Sequence, residues 1–89
     1  MSFSVIKKKI KIKNKQGLHA RPAALFVQLA NKFNSTITVS KDEQDVNGKS
    51  IMGILMLAAE KDSEILITAE GDDAKQALEA LEELLSEGE

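Results

Sequence analysis

The sequence predicts an α+β domain in which helices cover one face of a single, mostly antiparallel sheet. Four segments alternate apolar and polar residues with the two-residue period of strands, and three others have helical spacing. They follow one another in the order β-α-β-β-α-β-α, with one tight hairpin and otherwise long crossings. The 89 residues are expected to form one domain, 1–89, with a modest core.

The first strand is predicted over residues 5–14. Ile6, Ile10 and Ile12 share one face, and alternate lysines share the other. This pattern indicates a strand with one buried face. Its lysines also discourage edge-to-edge pairing if the strand lies at a sheet edge.

The first helix is predicted over residues 20–33. Pro22 lies in its first turn, where the missing N–H has no intrahelical partner to lose, so His19 is expected at the N-cap. An apolar stripe runs along the helix. Its members are Ala23, Phe26 or Val27, Ala30 and Phe33.

The middle of the chain predicts a hairpin and then a short helix. Residues 36–40 are β-branched and alternating, residues 41–43 form a turn, and residues 44–46 form a short partner strand. Asn47-Gly48 is often a hairpin signal, but Lys49, Ser50 and an apolar run follow it. We therefore expect Ser50 to cap a short helix.

The last third predicts a strand and a long amphipathic helix. Residues 64–70 alternate as a strand, and residues 71–73 form a turn whose acids lie at the positive end of the helix. The helix continues to the C-terminus with its apolar stripe facing the sheet. That stripe consists of Ala74, Ala77, Leu78, Leu81, Leu84 and Leu85.

The charges are divided unevenly along the chain. Residues 1–41 hold nine Lys or Arg and no acid, and residues 42–89 hold all fourteen acids. One interpretation is a nucleic-acid binder that uses the face from Lys7 to Lys15. The favoured one is that the two halves lie side by side, because the basic half is patterned as folded structure and lacks Trp and Tyr for base stacking. We thus expect no nucleic-acid partner, and a solvated acidic face at Glu79, Glu82, Glu83 and Glu87.

Composition excludes several classes of site. The chain has no cysteine, so it has no disulfide and no thiolate chemistry. With one histidine, a zinc site would need mostly carboxylate ligands, so we expect no metal site and no cofactor. The start shows no signal peptide, and the longest apolar run, residues 54–59, is too short to span a bilayer. The expected location is the cytoplasm, with no membrane insertion.

The most informative segment is GLHARPA, residues 17–23, which holds the single histidine, His19. At a helix N-cap this side chain faces the free amides of Ala20 and Arg21, which favour an incoming anion together with the helix dipole. The Arg21 guanidinium can bind two phosphate oxygens, and Gly17 permits a close backbone approach. An imidazole changes its charge near neutral pH. The junction therefore suits a phosphoryl group held on His19.

An ordinary capping or loop histidine is the alternative. It is favoured when a histidine stands alone, but Arg21 and Pro22 at the helix start support the phosphoryl interpretation without settling it. The sequence shows no partner base, second carboxylate or metal cluster beside His19. A self-contained hydrolase is therefore poorly supported.

Two motifs carry a resemblance to a known family. Residues 16–23, QGLHARPA, resemble the active-site signature of HPr, the histidine phosphocarrier of the phosphoenolpyruvate-dependent phosphotransferase system, and residues 46–53, VNGKSIMG, resemble its regulatory serine site. The resemblance implies an open-faced β-sandwich of four antiparallel strands with three helices on one face. It also implies a stoichiometric carrier, not an enzyme. Phosphorylated enzyme I would donate to Nδ1 of His19, Arg21 would neutralise the phosphate, and a histidine of enzyme IIA would receive it.

The resemblance further implies a docking patch and a regulatory site. Ile51, Met52 and Leu55 would form the patch, and the family often has Met in the place of Leu55. Ser50 would be phosphorylated by an HPr kinase/phosphorylase, and the phosphoserine form would recruit a catabolite control repressor. Two alternatives stay open: a carrier of the nitrogen-regulatory branch, and a binding module that acts through phosphorylated Ser50. A monomer suits a shuttle that docks with two partners through one surface.

Overall fold

The computed structural model describes residues 4–86, which contain the seven predicted elements in the predicted order. The elements are β1 (Ser4–Lys11), α1 (Ala20–Ala30), β2 (Thr36–Lys41), β3 (Gln44–Asn47), α2 (Ile51–Leu57), β4 (Glu64–Gly71) and α3 (Ala74–Ser86). The strands form one sheet in the order β1-β4-β2-β3, and every neighbouring pair is antiparallel. The predicted open-faced α+β fold is confirmed.

The sheet buries one face and leaves the other open. In the central strand β4, Ile65, Ile67 and Ala69 are buried, and the residues between them are half-buried or exposed. This two-residue alternation is expected of an antiparallel sheet with one covered face. The buried residues form one cluster with the apolar stripes of α1 and α3. Both predicted stripes are confirmed, with Val27, Phe33 and Leu84 packed at the margin of the core.

Strand β1 ends earlier than predicted, because the chain still contacts the segment before β4 at Ile12 and then binds α3 at Lys13. The prediction extended the strand to residue 14, whereas β1 ends at Lys11. Beyond it, Ile12 N donates to Ser63 O (2.9 Å), and Lys13 N donates to Leu85 O (3.3 Å). Ile12 is nevertheless fully buried, as its place in the apolar alternation predicts.

Helix α1 is also shorter than predicted, ending at Ala30 and not at Phe33. The chain tightens there, because Phe33 N donates to Ala30 O (3.2 Å), three residues earlier. Phe33 O in turn accepts a hydrogen bond from Lys49 Nζ (2.7 Å). A residue from a distant part of the chain thus holds the segment that follows the helix, and a local pattern does not reveal this contact.

The basic and acidic halves of the chain lie side by side. Strand β1 pairs with β4 along its whole length, and Lys8 Nζ lies 2.8 Å from Glu82 Oε1 of α3. Glu79 and Glu83 are exposed, as expected of a solvated acidic face, and Glu82 is half-buried in its surface pair with Lys8. Glu87 lies outside the described residues. A surface pair of this kind contributes about 1 kcal/mol or less.

The start of α3 is joined to the loop before β2 by Asp73. Its carboxylate accepts hydrogen bonds from Ser35 Oγ, from Asn34 N (2.8 Å) and from Ser35 N (2.9 Å). The Ser35 hydroxyl and then the Asn34 amide hold the pKa of Asp73 below its ordinary value, against a smaller opposing effect of burial. The predicted acid at this helix start is present, and its carboxylate binds a neighbouring loop. No helix within residues 4–86 has the length and apolar character needed to cross a bilayer.

Candidate functional site

His19 occupies the N-cap of α1, as predicted. Its backbone is extended, its side chain is exposed, and among residues 4–86 the ring makes no capping hydrogen bond to the first turn. N-cap side chains commonly accept such a bond from the helix amides. Because the ring is not used in this way, it remains accessible to a reaction partner.

The first turn of α1 leaves anion-binding groups next to His19. The hydrogen-bond ladder of the helix starts with Ala23 N donating to His19 O (2.7 Å), so the amides of Ala20 and Arg21 precede it. Pro22 contributes no N–H, and Arg21 is exposed. The first turn holds no acid. Free amides, the positive end of the helix and an exposed arginine two residues away therefore lie next to His19.

The backbone before His19 is held against the loop that follows α2. Gly17 has a φ of +63°, which glycine adopts without strain. A Cβ at this position would collide with Ala59 O and would lie 2.9 Å from Glu60 Cα. Leu18 is buried, and its N–H donates to Ala59 O (2.8 Å). The expected close backbone approach at Gly17 is thus made within the chain itself.

Asn14 closes the turn before His19, a role that the sequence analysis missed. Its Nδ2 donates to Gly17 O (2.9 Å), and its main-chain oxygen accepts from Gly17 N (3.2 Å). Its Oδ1 is buried and accepts no hydrogen bond from residues 4–86. Asn14 also lines a groove of about 360 Å³ together with Arg21 and Leu25. The sequence signal for this turn was an asparagine three residues before a glycine.

Helices α1 and α2 lie antiparallel. At one end Leu18 N contacts Ala59 O, just after α2, and at the other end Asn31 Nδ2 donates to Lys49 O (3.2 Å), just before α2. His19 therefore lies beside the C-terminal end of α2, and Ser50 lies at the opposite end. Seven residues of helix separate the two ends by about 10 Å along the axis. The structure does not bring His19 and Ser50 together.

An exposed apolar surface, the α2 patch, lies between these two residues. It consists of Ile51, Met52, Leu55 and Met56, which are 38%, 66%, 40% and 63% exposed. Their spacing puts them on one side of α2, whereas Ile54 and Leu57 are buried on the other. The three predicted patch residues are exposed. Met56 joins them one helical turn after Met52, a spacing that could have identified it from the sequence.

Ser50 caps α2, as predicted. Its Oγ accepts a hydrogen bond from Gly53 N (3.2 Å), and its own N–H donates to Asn47 O (3.1 Å). Ser50 is half-buried and directly precedes the first residue of the α2 patch. Ser50 therefore has a structural role and also lies at the margin of an exposed surface.

Comparison with known proteins identifies the family. The family model described as "PTS HPr component phosphorylation site" matches residues 6–87. The chain belongs to the HPr family. It is similar to the HPr-like protein Crh of Halalkalibacterium halodurans, with 51% identity over 77 residues, which cover 86% of this chain and 92% of that protein. It is also similar to the phosphocarrier protein HPr of Neisseria meningitidis serogroup A, with 45% identity over 82 residues and 92% coverage of both chains.

Solved structures of the HPr family agree with the fold. A crystal structure of HPr from Bacillus anthracis superposes with a TM-score of 0.90 at 51% identity, covering 92% of this chain and 98% of that one. Crh of Bacillus subtilis superposes with a TM-score of 0.76 at 44% identity, covering 93% and 95%, and its structure is described as a dimer with a swapping domain. The resemblance read from two motifs is confirmed, and the chain is an HPr-family phosphocarrier.

Proposed function

We propose that this chain accepts a phosphoryl group from phosphorylated enzyme I on Nδ1 of His19 and passes it to enzyme IIA of the sugar phosphotransferase system. The observation that carries the proposal is the exposed His19 ring at the N-cap of α1, unused as a cap and followed by free amides. The chain acts as a stoichiometric carrier without a cofactor. We place it in the cytoplasm, as a single-domain monomer.

The transfer needs little covalent machinery. A lone pair on Nδ1 forms a bond to phosphorus as the bond between phosphorus and the donor breaks, and the same exchange onto enzyme IIA returns the ring to its starting state. Catalysis of such a step depends on positioning and on neutralising charge. The amides of Ala20 and Arg21 and the forked guanidinium of Arg21 supply that charge.

The α2 patch is the proposed docking surface for both partners. Ile51, Met52 and Leu55 belong to it by the family resemblance, and Met56 is added by its exposure. Apolar side chains that are flexible, such as methionine, suit a surface that must accept more than one partner. The patch lies beside His19, so a partner seated on it also covers the acceptor.

Phosphorylation of Ser50 is the proposed regulation, by an HPr kinase/phosphorylase that prepares the chain for a catabolite control repressor. A phosphate on Ser50 Oγ would add about −1.5 to −2 charges next to Ile51. That charge lies at the margin of the α2 patch and would weaken docking to an acidic surface of enzyme I. The capping bond to Gly53 N shows that the serine also has a purely structural use.

A regulatory binding module that acts through phosphorylated Ser50 is the second candidate. The similarity to HPr-like proteins named Crh supports it, because they match this chain as strongly as the HPr proteins do. His19 with Arg21 argues against this as the sole role. A carrier of the nitrogen-regulatory branch is a variant of the first candidate and differs in its enzyme I.

The test is phosphate acceptance. The chain is incubated with phosphoenolpyruvate and enzyme I of the sugar branch, then weighed intact, and one acid-labile phosphoryl group is expected. Since His19 is the only histidine, His19→Ala should abolish acceptance while the circular dichroism spectrum is retained. Acceptance by this variant would refute the site. No acceptance by the wild type, from an enzyme I that phosphorylates itself, would refute the sugar-branch carrier.

Two further arms separate the alternatives. Enzyme I of the nitrogen branch replaces that of the sugar branch, and transfer from it alone would identify the nitrogen carrier. Incubation with ATP and an HPr kinase/phosphorylase should modify the wild type and not Ser50→Ala. Repressor binding by the phosphoserine form, without transfer from either enzyme I, would identify the regulatory module. Light scattering would test the monomer.

A further inference from the structure

Asn14 holds both backbone groups of the glycine that precedes the acceptor segment. Its side chain binds Gly17 O, and its main-chain oxygen binds Gly17 N, so the four-residue turn is closed twice. Gly17 in turn packs closely against the backbone of Ala59 and Glu60. The position and direction of the next residues, Leu18 and His19, are therefore set by this turn.

Asn14 is a poor choice for stability alone. Its Oδ1 is buried, and no described residue donates a hydrogen bond to it. A buried acceptor without a partner loses its hydration and destabilises the folded state. This loss offsets the gain from the bond to Gly17 O, so an aliphatic side chain would stabilise the fold about as well. A residue whose gain and loss of folding stability cancel in this way calls for an explanation other than stability.

We propose that Asn14 is a positioning residue for phosphoryl transfer at His19. It acts through Gly17 and does not touch the reacting atoms. Asn14 lines the same groove as Arg21 and Pro22, two residues of the first turn of α1. The inference rests on the proposed carrier function and identifies what holds the acceptor in place.

Removing the side-chain amide of Asn14 should change the rate of phosphoryl transfer and not the docking of enzyme I. Without the bond to Gly17 O, the turn explores more conformations, and the imidazole is less often in line with the donor. In-line geometry is needed in the transition state and not for docking, which the α2 patch provides. The kcat for phosphorylation by enzyme I should fall, and the KM for the carrier should not change.

The experiment compares three variants with the wild type. Asn14→Ala removes the amide, and Asn14→Asp keeps its size but at neutral pH cannot donate to Gly17 O. Asn31→Ala is the matched control, because Asn31 Nδ2 also donates to main-chain oxygens, Val27 O and Lys49 O, at the opposite end of α1. Steady-state phosphorylation by enzyme I and urea unfolding are measured on each protein.

Both Asn14 variants should lose about tenfold in kcat, which corresponds to one lost positioning hydrogen bond, with KM within about twofold of the wild type. Asn14→Ala should keep its unfolding midpoint, and Asn31→Ala should lower its midpoint without losing kcat. An unchanged kcat, a rise in KM alone, or an equal loss of kcat in Asn31→Ala would overturn the inference. So would two Asn14 variants that do not fold.

The proposed function can fail separately. If the wild type accepts no phosphate from enzyme I, the carrier assignment fails, and the inference about Asn14 fails with it. If the wild type accepts phosphate and the Asn14 variants match it, only the positioning role is refuted.

Discussion

Adding one methyl group at Gly17 tests whether the turn before His19 is as tightly placed as the structure shows. Gly17→Ala puts a Cβ on a residue with a φ of +63°. That Cβ collides with Ala59 O and lies 2.9 Å from Glu60 Cα. Both contacts are to backbone, which cannot move aside as a side chain can, so the turn or the loop after α2 must shift.

The expected loss of stability combines the cost of the left-handed backbone with the cost of the collision. A left-handed conformation costs an L-residue about 1–2 kcal/mol, and overpacking a tight contact costs about 1–3 kcal/mol. The lower entropy of the unfolded alanine chain returns about 0.4–1 kcal/mol. The net loss is about 1–4.6 kcal/mol. A domain with about 5–15 kcal/mol of stability should remain folded after such a loss.

Urea unfolding measures the loss, and phosphorylation by enzyme I measures the displacement of His19. The matched control is Gly53→Ala in α2, where the new Cβ would lie 3.2 Å from Asn47 O and from Val46 Cβ of β3. There the gain in helix propensity of about 1 kcal/mol opposes the tight contact, so the net change should be below about 1 kcal/mol. If Gly17→Ala changes stability no more than Gly53→Ala and accepts phosphate normally, the account of the turn is wrong.

Three other perturbations have defined outcomes. Ser50→Ala should lower the free energy of unfolding by about 1 kcal/mol, whereas Ser50→Asp should keep most of it, because aspartate caps as well as serine. Replacing Asp42 and Glu43 by Asn and Gly should raise the free energy of unfolding by about 1 kcal/mol, since both residues have positive φ in a two-residue hairpin. Asp73→Asn should weaken the dependence of Tm on pH as the pH falls below the unfolded pKa of aspartate, about 3.9.

The sign of the last effect follows from the lowered pKa of Asp73. The folded protein binds its proton less tightly than the unfolded chain, so the carboxylate contributes stability above the unfolded pKa of about 3.9. That stability is lost as the pH falls through the lower folded value. An Asp73→Asn variant as pH-sensitive as the wild type would contradict the role of Asp73. Equal losses in the two Ser50 variants would contradict the capping role of Ser50, and a hairpin destabilised by Asn and Gly would contradict the account of the turn.

The sequence predicted five elements from a strong local period, and it predicted β3 and α2 from a turn and a capping residue. What it missed depends on residues far apart in the chain. Lys49 Nζ binds Phe33 O, three residues beyond the end of α1, and Lys8 pairs with Glu82, 74 positions away in the chain. Neither partner choice is visible in a window of neighbouring residues.

The candidate site was predictable to the same extent. His19 and Arg21 lie in one motif, so their placement at the start of α1 followed from Pro22 and helical spacing. The contacts that hold this segment in place could not be predicted, because the contact of Gly17 with Ala59 joins segments about 40 residues apart. For Asn14 the sequence held only an asparagine three residues before a glycine, and its bond to Gly17 O is visible only in the folded turn.

The antiparallel arrangement of α1 and α2 sets a kinetic limit on the carrier. Under the proposed docking on the α2 patch, one bound partner would cover both His19 and the patch, so donor and recipient would compete for the same surface. A carrier that cycles about 100 times per second, with association at about 10⁶–10⁷ M⁻¹s⁻¹, cannot bind either partner tighter than about 10–100 μM. A small patch of four side chains suits such brief encounters. Enlarging it to strengthen binding would slow the relay by lengthening each partner's residence time.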